Sequence, residues 1–151
     1  MKTLLIILAV LIVLAFVMIY VQNSRAPSLG HSQGRLKPLS GKPNAVSTQA
    51  EDVAKRVAPW PLKADQEQTM SAIVSAVKAY GGAEVIEQKA DYLYVVFTTD
   101  LMKFHDDAEF YLDTDAGEVH FRSSSRAGYS DRGLNRQRHE RLTELYQQAQ
   151  Q

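Results

Sequence analysis

The chain of 151 residues contains no cysteine. That absence excludes a disulfide framework, a thiol nucleophile, thiolate zinc ligands and a lipoprotein anchor; it leaves the redox compartment open, because a chain without thiols neither needs nor forbids an oxidising one. Net charge is lacking as well: 17 Lys and Arg balance 17 Asp and Glu, so no overall field argues for nucleic acid as a partner. There are no internal repeats, and no low-complexity tract precedes the glutamine-rich end. No nucleophile elbow or other catalytic spacing relates Ser123, Ser124, Ser125 and Ser130 to His105, His120 and His139. His105, Asp106, Asp107 and Glu109 are ligand types for a hard metal, but no second histidine follows at i+4 and the nearby arginines would repel an ion. Neither metal nor cofactor is expected.

What the chain does have begins at its N-terminus. Residues 4–21 are apolar or Tyr without a break, and a helix of that length spans about 27 Å at about 1.5 Å per residue, enough for a bilayer core. A cleaved signal has a shorter apolar region, and the nearest cleavage candidate, Ser24-Arg25-Ala26, runs into Pro27. Residues 1–21 therefore read as an uncleaved anchor. Residues 22–42 hold Pro27, Pro38, Gly30, Gly34 and Gly41 with almost no apolar periodicity, which reads as a flexible linker. Residues 43–151 then suit one compact domain.

Within that domain Met70, Ile73, Val74, Val77 and Tyr80 recur at helical spacing over residues 66–80, so one face is buried. Asp65 with Gln68 forms a capping box, and Gly81-Gly82 ends the helix. Residues 58–62 form an extended strip whose Trp60, the only tryptophan, plugs the edge of the core or serves as a ligand platform. Two hairpins follow. Residues 84–87 pair with 92–98, where Leu93, Val95 and Phe97 alternate with Tyr92, Tyr94 and Val96. Residues 107–112 pair with 118–124 across a loop in which Gly117 supplies the positive φ; Ala108, Phe110, Leu112, Val119 and Phe121 make the apolar face. After Gly128, Ser130 or Asp131 caps a last helix reaching about residue 149. The expected fold is α+β: a four-stranded antiparallel sheet of two hairpins with an N-terminal and a C-terminal helix packed on it, preceded by one transmembrane helix.

The last third carries the unusual chemistry. Six of nine arginines fall between residues 122 and 141 beside only Asp131 and Glu140, whereas residues 84–118 hold ten acids against Lys89 and Lys103. The two segments are expected to face each other. At about 100° per residue, Asn135 and Arg138 fall inside the apolar sector of the last helix with Leu134, Leu142, Leu145 and Tyr146. An arginine aimed into a core must meet a carboxylate or carbonyls, since an uncompensated buried charge costs several kcal/mol. Asp106, Asp107 and Glu109 are the available partners for a bidentate bond, and together with Asn135 and Arg138 they form the expected structural network. A competing reading makes Asp106, Asp107, Glu109 and Arg138 the machinery of a hydrolase-like enzyme.

Arg122, Ser124 and Arg126 alternate onto the strand face opposite Phe121, toward solvent or a cleft. With the amides around Gly128 and the start of the last helix they form a candidate site for phosphate, carboxylate or sulfate; alternatively Gly128 merely makes a turn. Asn44 and Ser47 either anchor the opening segment by side-chain to backbone hydrogen bonds or form an exposed turn. His139 reads as solvated at the margin of the last helix, and His120 as an outward strand residue.

The run Arg122-Ser123-Ser124-Ser125-Arg126, Gly128, Ser130-Asp131, Gly133, Asn135 and Arg138 resembles the signature of the family catalogued as domain of unknown function 1499. Residues 43–48, Pro-Asn-Ala-Val-Ser-Thr, and 104–110, Phe-His-Asp-Asp-Ala-Glu-Phe, fit the same family, and the resemblance covers roughly residues 43–146. Many relatives have Cys where this chain has Ala45, a departure that argues against a thiol function. The resemblance implies no assigned activity. Lys2 on one side of the apolar run and Arg25, Arg35, Lys37 and Lys42 on the other would put the domain in the cytoplasm by the positive-inside count; the resemblance implies export, because relatives often carry export or lipoprotein signals. The expectation adopted is a bacterial single-pass protein of the cell inner membrane with its domain on the periplasmic side, acting as a non-catalytic interaction or anion-binding module. Its expected partners are the membrane, through residues 4–21, and a small anion or a protein.

Overall fold

The computed structural model of the protein describes residues 1–149; Gln150 and Gln151, the end of the expected domain, lie outside the described residues. The first element, α1 (Lys2–Ser24), contains an 18-residue window with mean hydropathy 3.4, and none of its residues is buried. At about 1.5 Å per residue its length is about 34 Å, so it is long and apolar enough to cross a membrane. Only Ile19, Gln22 and Asn23, which share one face of its last turns, are partly covered.

The segment expected as a flexible linker forms a small antiparallel hairpin, β1 (His31–Ser32) with β2 (Arg35–Leu36). Its two turn residues, Gln33 and Gly34, have φ of 51° and 75°, the left-handed pair that a two-residue turn matching strand twist requires. Leu29 and Leu36 pack from this segment against Tyr92, Tyr94 and Val96. Two isolated leucines make no periodicity, which is why the pattern alone reads as linker.

Six strands, rather than the expected four, build the main sheet: β3 (Ala45–Ser47), β4 (Trp60–Pro61), β5 (Ala83–Gln88), β6 (Tyr92–Thr98), β7 (His105–Asp113) and β8 (Glu118–Ser125), in the order β3-β8-β7-β6-β5. The two expected hairpins are present. The extra strands share the outer edge of β8, with β3 along residues 122–124 and β4 along 118–119. Each is only two or three residues long, and β4 contains Pro61, so neither carries the alternation by which a strand is recognised.

Helices α2 (Gln66–Tyr80) and α3 (Leu134–Gln148) cover one face of this sheet. α2 begins on the Asp65 carboxylate, which accepts from the Gln68 amide at 2.7 Å and its side chain at 3.0 Å, and ends at Gly81 with φ 83°. α3 starts later than a cap at Ser130 or Asp131 would place it: Gly133 is the capping residue, and Asp131 reaches from outside to accept from the amides of Gly133 at 3.0 Å and Asn135 at 2.8 Å. Ile73, Leu93, Val95, Phe110, Phe121, Leu142 and Tyr146 form the core between the layers. Trp60 lies inside that core, 2% exposed, stacked on Tyr146 at 4.8 Å with its Nε1 donating to Thr143 Oγ1 at 2.8 Å. His139, expected to be solvated, is buried against Trp60 and Phe121 and contacts the Ala58 carbonyl through Nε2 at 3.0 Å.

Candidate functional site

Strand alternation sends neighbouring acids of β7 to opposite faces of the sheet. Asp106 shares a face with Ala108 and Phe110 and looks toward α3, where Arg138 Nη2 donates to its Oδ2 at 2.6 Å. Arg138 also donates through Nη1 to Asn135 Oδ1 at 2.8 Å, and its guanidinium lies 4.6 Å from the Phe97 ring centre. The fork is thus divided between Asp106 and Asn135 instead of closing as a bidentate bond on one acid. Asn135 accepts in addition from Ser123 Oγ and donates to the Asn44 carbonyl, Ser125 Oγ and Asp131 Oδ2. One amide side chain therefore joins the residue that leads into β3, β8, the start of α3 and Arg138. Both Asn135 and Arg138 are enclosed, at 0% and 3% exposure.

Asp107 and Glu109 occupy the other face and have other partners. Glu109 Oε1 accepts from Tyr92 Oη at 2.7 Å and from the Gly30 amide at 2.9 Å, while its Oε2 accepts from Arg122 Nη1 at 3.1 Å. Arg122 Nε donates in turn to the Lys37 carbonyl at 3.0 Å. Asp107 receives the bidentate fork, with Arg126 Nε at 2.8 Å on Oδ2 and Nη2 at 2.7 Å on Oδ1, and Tyr94 Oη also donates to Oδ1. Arg126 Nη1 donates to His105 Nδ1 at 3.2 Å, a guanidinium being able only to donate. Burial and the bond to Asp107 push the Tyr94 hydroxyl up to about 12, and burial with the Glu109 bond raises Tyr92 as well. The bond to Asp107 raises Arg126 further above its ordinary value. Both tyrosines stay neutral donors to carboxylates across the working pH range.

The group Asp106, Asp107, Glu109 and Arg138 is accordingly divided by the sheet and does not meet in one site. Among the described residues, no three His, Asp or Glu side chains converge in a way that could hold a metal ion. Asn44 is buried and donates through Nδ2 to the carbonyls of Ser125 and Gly128, both at 3.3 Å; Ser47 is buried and its Oγ accepts from the Gln49 amide at 3.1 Å.

Arg122, Ser124 and Arg126 do come together. They line a cleft of about 260 Å³ with Ser125, Asn44, Asp107 and, from the segment after α1, Arg25, Pro27, Ser40 and Lys42. Pockets for drug-sized ligands run to about 300–1,000 Å³, so this one lies just below that range. Arg122 is paired with Glu109 and Arg126 with Asp107, which leaves Arg25 and Lys42 as the cations with no carboxylate in ion-pair contact among the described residues. Gly128 stands outside this lining and turns its carbonyl, not its amide, to the neighbourhood, accepting from Lys42 Nζ at 3.4 Å and from Asn44. The start of α3 is likewise occupied by Asp131 on the other face. Tyr92 and Tyr94 were missed as partners of the outer-face acids; their alternation with Leu93 and Val95 was the one signal that put them on that face. Arg25 and Lys42 carried no sequence signal beyond their charge, since only the return of the linker onto the sheet brings them to the cleft.

The model of the family described as "Protein of unknown function (DUF1499)" matches residues 35–145, more than half of the chain. The match starts at β2, so it includes part of the hairpin that lies on the sheet. No curated protein and no solved structure matches the chain.

Proposed function

The chain thus belongs to the DUF1499 family, described as one of unknown function, and we propose that it is a membrane-anchored, non-catalytic module that binds a small oxyanion in the cleft between Arg25, Lys42, Arg122, Ser124 and Arg126. The carrying observation is the charge balance of that cleft. Four cations line it, and the two acids in contact with them, Asp107 and Glu109, already satisfy Arg126 and Arg122. The acids hold the two arginines rigid, and the remaining guanidinium hydrogens of Arg122 and the Ser124 hydroxyl offer donors at low reorganisation cost. α1 supports membrane anchoring by its length and composition, and the export signals implied by the family resemblance support an inner-membrane protein with its domain in the periplasm. The hydrolase-like alternative loses support because its four residues lie on two sides of a sheet.

The test is thermal unfolding of the full chain in a phosphate-free non-ionic detergent, titrated with inorganic phosphate against chloride at matched ionic strength. Saturable stabilisation of about 2.7 kcal/mol at a hundredfold excess over Kd is expected, and it should be lost in the Arg25→Gln/Lys42→Gln variant, which touches only exposed side chains. A response equal to that of chloride, or one that the double substitution leaves intact, would overturn the reading.

A further inference from the structure

Asn23, in the last turn of α1, is a clamp. Its Oδ1 accepts from the His105 amide at 2.8 Å and its Nδ2 donates to the Lys103 carbonyl at 2.8 Å. The domain is therefore held directly against the end of the apolar helix at the β6–β7 loop instead of swinging on a tether, which agrees with the partial cover on Ile19, Gln22 and Asn23. His105 links this clamp to the cleft, since its ring accepts from Arg126. Arg25 follows α1 by one residue and Pro27 by three, and both line the cleft; three residues of extended chain reach at most about 10 Å. The cleft thus opens within headgroup distance of the point where α1 leaves the hydrocarbon.

A second feature seats the domain on the same surface. The β6–β7 loop held by Asn23 exposes Leu101 at 91% and Met102 at 51%, next to Lys103. Exposed apolar side chains at a loop tip beside a helix long enough to cross a membrane, flanked by Asp100 and Lys103, suit the interfacial layer.

We propose that the oxyanion is the phosphate of a phospholipid headgroup, taken from the leaflet in which α1 ends. This rests on the anion-cleft reading above and adds the source of the anion. Arg25 and Lys42 meet the phosphate at the mouth, and Arg122, Ser124 and Arg126 form the floor. Asn23 is a positioning residue: it fixes the cleft at headgroup height and makes no contact with the phosphate itself.

The experiment titrates the full chain, in the same phosphate-free detergent, with a short-chain phosphatidylglycerol, a short-chain diacylglycerol lacking phosphate, and inorganic phosphate. The phospholipid is expected to stabilise saturably where diacylglycerol does not, and Arg25→Gln and Lys42→Gln should each weaken it about tenfold, the scale of one lost charge-assisted hydrogen bond. Asn23→Ala should leave the response to inorganic phosphate unchanged while vesicle-embedded protein loses protection of the cleft segment 25–42 against hydrogen exchange. Stabilisation by inorganic phosphate without any response to the phospholipid would overturn the lipid assignment and leave the oxyanion cleft standing. A response to neither would overturn both, and a response to diacylglycerol equal to that of the phospholipid would overturn the assignment of the phosphate.

Discussion

Replacing Arg138 with alanine tests the central polar contact of the domain. The guanidinium is 3% exposed and its partner Asp106 is 1% exposed, with 2.6 Å between them. Removing the cation leaves a carboxylate facing Phe97 and the underside of α3 with no counter-charge, and breaking a buried pair from one side costs about 3–5 kcal/mol. The lost bond to Asn135 adds little, because Asn135 Oδ1 keeps Ser123 as a donor, and the lost packing on Phe97 contributes about 1 kcal/mol. A total of about 4–6 kcal/mol corresponds to a fall of about 15–30 °C for a domain of this size. The assay is thermal and urea unfolding of the full chain followed by far-ultraviolet circular dichroism. Arg138→Met combined with Asp106→Leu should recover most of the loss, because two apolar groups of similar volume replace the pair, and the double-mutant cycle should return a coupling above about 2 kcal/mol. An Arg138→Ala protein melting within about 3 °C of wild type, or single effects that simply add, would refute the argument that this ion pair pins α3 to the sheet.

Glu109→Gln should cost about 3 kcal/mol, since it removes the counter-charge of buried Arg122, and it should speed hydrogen exchange in residues 29–37, whose Gly30 amide bonds to Glu109; protection equal to wild type there would separate the hairpin from Glu109. Acid should destabilise the fold through His139. Burial lowers its folded value to about 4 from 6.5, so the unfolded chain binds the extra proton between those two pH values. The contribution is complete above pH about 6.5, falls as pH drops toward about 4, and amounts to about 3 kcal/mol. His139→Phe, which keeps the stacking on Trp60, should flatten that slope in a pH series of unfolding midpoints, and an unchanged slope would assign the acid sensitivity elsewhere.

Local chemistry explains which parts of the fold were legible. The Asp65 and Gln68 cap, the Gly81 stop and the alternation from Leu93 to Phe97 act within a few residues, so each was visible in the chain and each is present. The burial of Arg138 was legible for the same reason, because helical geometry places it among Leu142 and Tyr146 before any partner is known. Its partner was not, since three acids stand within four positions on β7 and only the register and pleat decide which side each takes. Asp106 thereby went to Arg138, Asp107 to Arg126 and Glu109 to Arg122. His139 was misplaced because β4, two residues long, could not be foreseen as the strand that carries Trp60 over it.

What the sequence by itself determined is therefore everything set by short-range periodicity and composition: an apolar N-terminal helix, two hairpins, two amphipathic helices, and an excess of arginine facing an excess of acid. Tertiary structure alone decided that residues 29–37 fold back over the outer face of the sheet, that two short strands complete its edge, and that Arg25 and Lys42 join Arg122 and Arg126 around one cleft. The physical reason is the range of the contacts. Gly30 meets Glu109 and Lys37 meets Arg122 across some eighty residues of chain, and such pairings follow from closure of the whole domain, which no local pattern encodes.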